Sequence, residues 1–156
     1  MTKTANRTGY LPVGDLRMYY EIWGTGKPLV LLHGAFSAIG TSFAGLLPPL
    51  AEGRQVIGLE LQGHGRTADI DRVLSLDTMA DDVAVAIRQL EIEPTDLLGY
   101  SMGAGVALRA VIKEPDLVRK LIVISGSIAG SGIHPGLTEG ISEMTPEMMH
   151  GSPWHE

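Results

Sequence analysis

Residues 96–110 read DLLGYSMGAGVALRA, and the change of character along this stretch decides the fold. Leu97-Leu98 closes a short apolar run without polar alternation, the mark of a strand covered on both faces. From Ala104 to about Lys113 the residues are mostly small and apolar, as in a helix packed closely on its neighbours, and Pro115 ends it. Between the two stands Gly99-Tyr100-Ser101-Met102-Gly103, a G-x-S-x-G pattern. A chain that passes from strand to helix within five residues holds the serine at a strained bend with its hydroxyl exposed. Glycine is needed on either side because a side chain there would collide with the adjoining strand and helix. The helix start behind the serine offers free amides and a partial positive charge to a developing oxyanion. Ser101 is therefore the candidate nucleophile. An ordinary Gly-flanked turn with an inert serine would give the same five letters, but the strand before it and the helix after it favour the reactive reading.

Working outward, three more apolar runs flank this unit: Leu29-Val30-Leu31-Leu32, Val56-Ile57-Gly58-Leu59 and Leu121-Ile122-Val123-Ile124. Each is bounded by turn residues and predicts a buried strand. Ser75 reads as an N-cap, with Asp77, Asp81 and Asp82 near the positive end of the helix it starts. Met79, Val83, Ile87 and Leu90 recur on one face of that helix. A further helix is expected from about Ser42 to Ala51, distorted or ended early by Pro48-Pro49. At the start, residues 1–8 are polar and expected to fray. Tyr10–Val13 and Leu16–Trp23 then face each other across Gly14-Asp15 as a hairpin. The expected fold class is α/β: a mainly parallel sheet with an N-terminal hairpin and flanking helices. After Ser125 the rhythm breaks among scattered Gly, Pro and Met residues, with one short helix expected near 137–149 and no further strand. No internal repeat is visible.

Composition narrows the function. The chain has 156 residues and a formal charge of −6, which argues against an electrostatic nucleic-acid binder. Hydrophobic residues make up 44%, enough to build a core. Cysteine is absent, so a disulfide framework, a thiol nucleophile and Cys-ligated metals are excluded. The first residues hold no apolar secretory segment, and no run approaches the ~20 apolar residues of a membrane span. The expected setting is cytoplasmic, with no membrane partner.

His33-Gly34-Ala35-Phe36 follows directly on the run at 29–32. A loop there can aim the amide of Ala35 at the same anion as the amide of Met102, giving a two-donor oxyanion hole. His33 is read as a brace for that loop rather than a catalytic group. The same junction lacks G-x-G-x-x-G, which disfavours a Rossmann-type cofactor binder.

Four segments, PLVLLHGAF at 28–36, VIGLELQGHGRT at 56–67, DLLGYSMGAGVALRA at 96–110 and VRKLIVISG at 118–126, together resemble the N-terminal part of an α/β-hydrolase, in particular its small serine esterase and perhydrolase-like branch. The resemblance covers about residues 8–126. It implies a truncated core of that family over residues 1–126, with 127–156 beginning a lid or cap region or forming a disordered tail. It makes Ser101 the nucleophile, places the oxyanion amides at Ala35 and Met102, and makes Gly63-His64-Gly65 a sharp turn. It implies a small-molecule ester substrate and no metal or organic cofactor. A serine nucleophile disfavours the epoxide-hydrolase and haloalkane-dehalogenase branches, which attack with a carboxylate.

The resemblance also implies an acid and a histidine later in the chain. Ser125-Gly126-Ser127-Ile128 carries no carboxylate where some relatives place the acid. His134, His150 and His155, near Glu139, Glu143, Glu147 and Glu156, are read as solvated rather than catalytic, and His150 with His155 is too sparse a pair for a metal site. Two functions follow as expectations: a serine hydrolase of carboxylic esters, impaired unless a base is supplied, or a catalytically inert binding or assembly module of the same fold. The run at 121–124 is expected to be an open sheet edge, so that the chain forms a homo-oligomer or pairs with a complementing C-terminal segment. Phe36, Phe43, Leu46 and Leu47 are candidates for an acyl pocket, a role that ordinary core packing explains equally well.

Overall fold

The computed structural model describes residues 5–127 together with Gly132 and Gly136. Among the described residues, six strands form one sheet: β1 (Arg7–Val13), β2 (Leu16–Trp23), β3 (Pro28–Leu32), β4 (Gln55–Leu59), β5 (Thr95–Tyr100) and β6 (Val118–Ile124), in the spatial order β1-β2-β4-β3-β5-β6. β1 pairs antiparallel with β2, and β2 antiparallel with β4; the β4, β3, β5, β6 portion is parallel throughout. This is the α/β arrangement expected from the sequence. β1 starts at Arg7, so residues 7 and 8 are held in the sheet rather than frayed.

The uniform apolar runs are explained by two cores. Successive strand side chains point to opposite faces. Val30, Leu32, Ile57, Leu59 and Leu97 enter one core with Met79, Val83, Ile87, Val106 and Ala107. Leu29, Leu31, Val56 and Leu98 enter the other with Ile39, Phe43 and Leu47. A strand with helices on both sides has no solvent face on which to place polar residues.

The first core is roofed by α3 (Leu76–Gln89) and α4 (Met102–Lys113), which enclose β5 in the chain. Ser75 caps α3: the Thr78 amide donates to Ser75 Oγ at 3.1 Å, while the Thr78 hydroxyl accepts from the Ser75 amide at 3.1 Å. Asp82 is buried and pairs with Arg72 rather than serving the helix start.

The other face differs from the expected single helix over 42–51. It carries α1 (Ile39–Phe43) and α2 (Leu47–Leu50), separated at residues 44–46. The break precedes the prolines. Pro48 and Pro49 sit in the first turn of α2, where proline has no helical hydrogen bond to lose.

Candidate active site

Everything in the β5–α4 junction serves one bend. Ser101 has φ 52° and ψ −113°, a region costing a non-glycine residue about 1–3 kcal/mol. Packing leaves the glycines around it no alternative. A Cβ on Gly99 would lie 2.3 Å from the Gly103 carbonyl oxygen, and one on Gly103 would lie 2.2 Å from that of Leu32. β3, β5 and α4 thus touch backbone to backbone, and only glycine permits it.

Three hydrogen bonds fix the bend. The Ser101 amide donates to Ile124 O on β6 at 2.9 Å, and the Ser101 carbonyl accepts from the amides of Ala104 at 3.0 Å and Gly105 at 3.3 Å. Although Ser101 is the N-cap of α4, its side chain makes no capping hydrogen bond. Its hydroxyl stands at an exposed position. Met102 opens α4, and no carbonyl of its own helix can accept its amide.

The loop after β3 closes on this junction. Gly34 packs so tightly there that a Cβ would meet the Tyr100 ring at 3.1 Å and Ser101 Cβ at 3.4 Å. Ala35 follows, half-buried in a turn, and Phe36 has φ 53°, a second strained non-glycine residue. Hydroxyl groups hold the loop. The Gly34 amide donates to Ser42 Oγ, Ser42 shares a hydrogen bond with Ser37, and Thr41 Oγ1 accepts from the Ala38 amide at 2.8 Å. Ala35 and Met102, the two amide residues singled out from sequence, therefore belong to the two segments that meet at Ser101.

His33 is fully buried. Its Nε2 lies 3.0 Å from the Leu61 amide, which donates to it, so Nδ1 carries the proton and donates to Gly34 O at 2.8 Å. Burial, reinforced by the neighbouring His64 ring, holds its pKa down at about 4. A neutral imidazole with both nitrogens engaged ties the end of β3 to Leu61, two residues past β4; it is the brace the sequence suggested. His64 lies in a turn whose Gly63 and Gly65 have φ 72° and 55°, and its Nδ1 is 2.8 Å from Gln62 O.

Of the four acyl-pocket candidates, Phe43 and Leu47 belong to the second core, whereas Phe36 and Leu46 are exposed. His134, His150, His155, the four tail glutamates and the helix expected near 137–149 lie outside the described residues.

Sequence reasoning missed two buried, paired carboxylates, Glu60 and Asp96. Glu60, fully buried after β4, receives the Arg66 side chain at 2.7 Å and the Arg66 amide at 2.5 Å. Arg66 also lies over the Tyr19 ring at 3.8 Å and pairs with Glu21 at 2.6 Å. At the far end of β5, Asp96 is held by Arg119 and Arg54; the Arg119 hydrogen bond contributes most to lowering its pKa to about 2. A charge set inside an apolar run is the signal that could have found both, since such a group must be paired when buried.

A strained serine between a parallel strand and a helix, with a glycine loop against it, defines a class that comparison makes definite. The profile of the alpha/beta hydrolase fold matches residues 27–150, and the chain belongs to that family. It is 31% identical to a pyrrolizixenacetamide deacetylase of Xenorhabdus hominickii over 78% of this chain and 46% of that protein. It is 32% identical to an sn-1-specific diacylglycerol lipase, ABHD11, of Danio rerio over 83% of this chain and 42% of that protein. Among solved structures, the epoxide hydrolase CorEH matches with a TM-score of 0.76 and 29% identity over 87% of this chain and 49% of that one. The chain thus spans less than half the length of each of these relatives. They are hydrolases of differing chemistry, so the fold by itself does not select a bond to be cleaved.

Proposed function

We propose that Ser101 is the nucleophile of a serine hydrolase acting on carboxylic esters. Its Oγ attacks the acyl carbon, the amides of Ala35 and Met102 stabilise the oxyanion, and the alcohol departs as an acyl-serine forms. Water then attacks that ester, releasing the acid and restoring the hydroxyl. The observation that carries this reading is the strained, exposed Ser101 whose hydroxyl is withheld from capping its own helix. A serine at this bend, rather than a carboxylate, favours acyl transfer over epoxide opening. The deacetylase and lipase relatives act, by name, on acyl groups, which supports the same class.

His33 is not the general base, because it is fully buried and both of its ring nitrogens are engaged by backbone groups. With the base and acid unassigned, binding and the oxyanion hole alone are worth roughly 10³–10⁴-fold over water. The test is labelling of the 156-residue protein with a fluorophosphonate probe. Labelling lost in Ser101→Ala supports the assignment; labelling of equal strength in that variant rejects it.

A second reading is an inert assembly module of the same fold. It is favoured by β6, which among the described residues is the edge of the sheet, with Ile122, Val123 and Ile124 42%, 41% and 38% exposed. We propose that this edge pairs with a second copy or a complementing C-terminal segment. Folded wild-type protein that resists the probe would favour this reading. Among the described residues no helix is long and apolar enough to cross a membrane, and a cytoplasmic setting is part of the proposal.

A further inference from the structure

At the opposite end of β5 from Ser101, the sheet opens into a cleft of about 460 Å³ lined by Lys27, Gly53, Arg54, Asp96, Arg119 and Lys120. Four cations and one carboxylate meet there, in a chain whose overall charge is −6. Such a local excess of one sign in a concave site concentrates counter-ions of the other sign.

Two features show that the cluster is built. The first is a bulge: Thr95 pairs with Val118 but Asp96 pairs with Lys120, leaving Arg119 as the extra residue of β6. A bulge re-aims side chains, and here Arg119 and Lys120 both line the cleft. The second is the hold on the guanidinium groups. Arg54 donates to Pro28 O at 3.1 Å and pairs with Asp96, while Arg119 Nε donates to Asp96 at 2.9 Å. Each carboxylate oxygen of Asp96 thereby accepts from one arginine. The terminal nitrogens of Arg119 and the ammonium groups of Lys27 and Lys120 make no hydrogen bond or ion pair with another described residue.

We propose that this cleft binds a phosphoryl group, free or on a small soluble ester. A tetrahedral dianion matches one preorganised guanidinium flanked by two mobile ammonium groups, and the volume is that of a small-molecule site. The proposal does not depend on Ser101: five residues of strand, about 16 Å, separate the two sites.

Titration with inorganic phosphate and, separately, phenyl phosphate at constant ionic strength, followed by backbone amide NMR, tests it. The expected result is saturable shifts at Gly53 and Lys120, with affinity reduced at least ten-fold in Lys27→Ala/Lys120→Ala and unchanged in Lys113→Ala. Both lysines of the double variant are exposed, and its thermal midpoint should match the wild type. Saturation by phenyl phosphate alone would assign the cleft to the ester. Non-saturating shifts, or an equal loss in Lys113→Ala, would reduce the cluster to general electrostatics and overturn the proposal. So would recruitment to phosphatidylglycerol vesicles without any response to the soluble phosphates.

Discussion

Mild acid should loosen this protein through His33 before Asp96 is protonated. The imidazole is neutral in the fold because burial holds its pKa at about 4 instead of 6.5. The unfolded chain therefore binds a proton that the native state refuses. The resulting stabilisation is fully present above pH 6.5 and is lost as pH falls toward 4. Linkage over that gap gives about 1.4 kcal/mol per pH unit at its steepest, and roughly 2 kcal/mol between pH 7 and pH 4.5. Asp96 acts in the same direction but lower, between its usual 3.8 and about 2, so the two windows separate. Urea unfolding at half-unit pH steps, on wild type and His33→Gln, measures the difference. The variant is less stable at pH 7, because the Leu61 amide and Gly34 carbonyl lose their partner, but its stability should fall less between pH 7 and 4.5. Parallel wild-type and variant curves across that range would refute the buried, doubly bonded neutral imidazole.

Gly103→Ala places a methyl group against two carbonyl oxygens of β3 and its end, and should cost about 3 kcal/mol or more, read as a lower urea midpoint. Ser101→Gly should do the reverse, raising stability by roughly 1 kcal/mol as the strain is released, a shift of about 2–4 °C in a thermal melt, while abolishing fluorophosphonate labelling. Light scattering on a sizing column should show self-association that Ile122→Lys/Ile124→Lys suppresses; a monomer at high concentration in the wild type would exclude edge pairing between copies.

The sequence disclosed those parts of the fold whose physics is local. Leu29–Leu32 and Val56–Leu59 had to be strands covered twice, since each residue in turn faces one of two helical layers. The bend at Ser101 was legible because Gly99 and Gly103 mark backbone contacts that no other residue allows. The division between α1 and α2 was legible only in part: Pro48 and Pro49 lack an N–H and crowd the carbonyls four residues back, at Ala44 and Gly45, which rules out one continuous helix, but both fit the first turn of a second one. The partners of the buried charges were beyond reach for a different reason. Asp96 finds Arg54 42 positions back and Arg119 23 positions ahead, and nothing in the local sequence of any of the three specifies the others.

The bend at Ser101 also explains why function is the more economical account of this junction. A serine at a helix start ordinarily turns its hydroxyl to an amide of the first turn, a contact worth about 1 kcal/mol. Here φ is positive, that contact is absent, and a further 1–3 kcal/mol of strain is accepted. Strand β6 holds the serine's amide, two α4 amides hold its carbonyl, and the glycines lock the elements around it. The scaffold thus enforces a conformation that stability alone disfavours, and what it gains is a hydroxyl left at the surface beside an uncommitted helix start. The loop after β3 packs Gly34 against that same point and is held by the Gly34 amide donating to Ser42 Oγ and the Ala38 amide donating to Thr41 Oγ1. Local cost concentrated where a nucleophile and two amides would be needed is the pattern expected of a reactive centre rather than of packing.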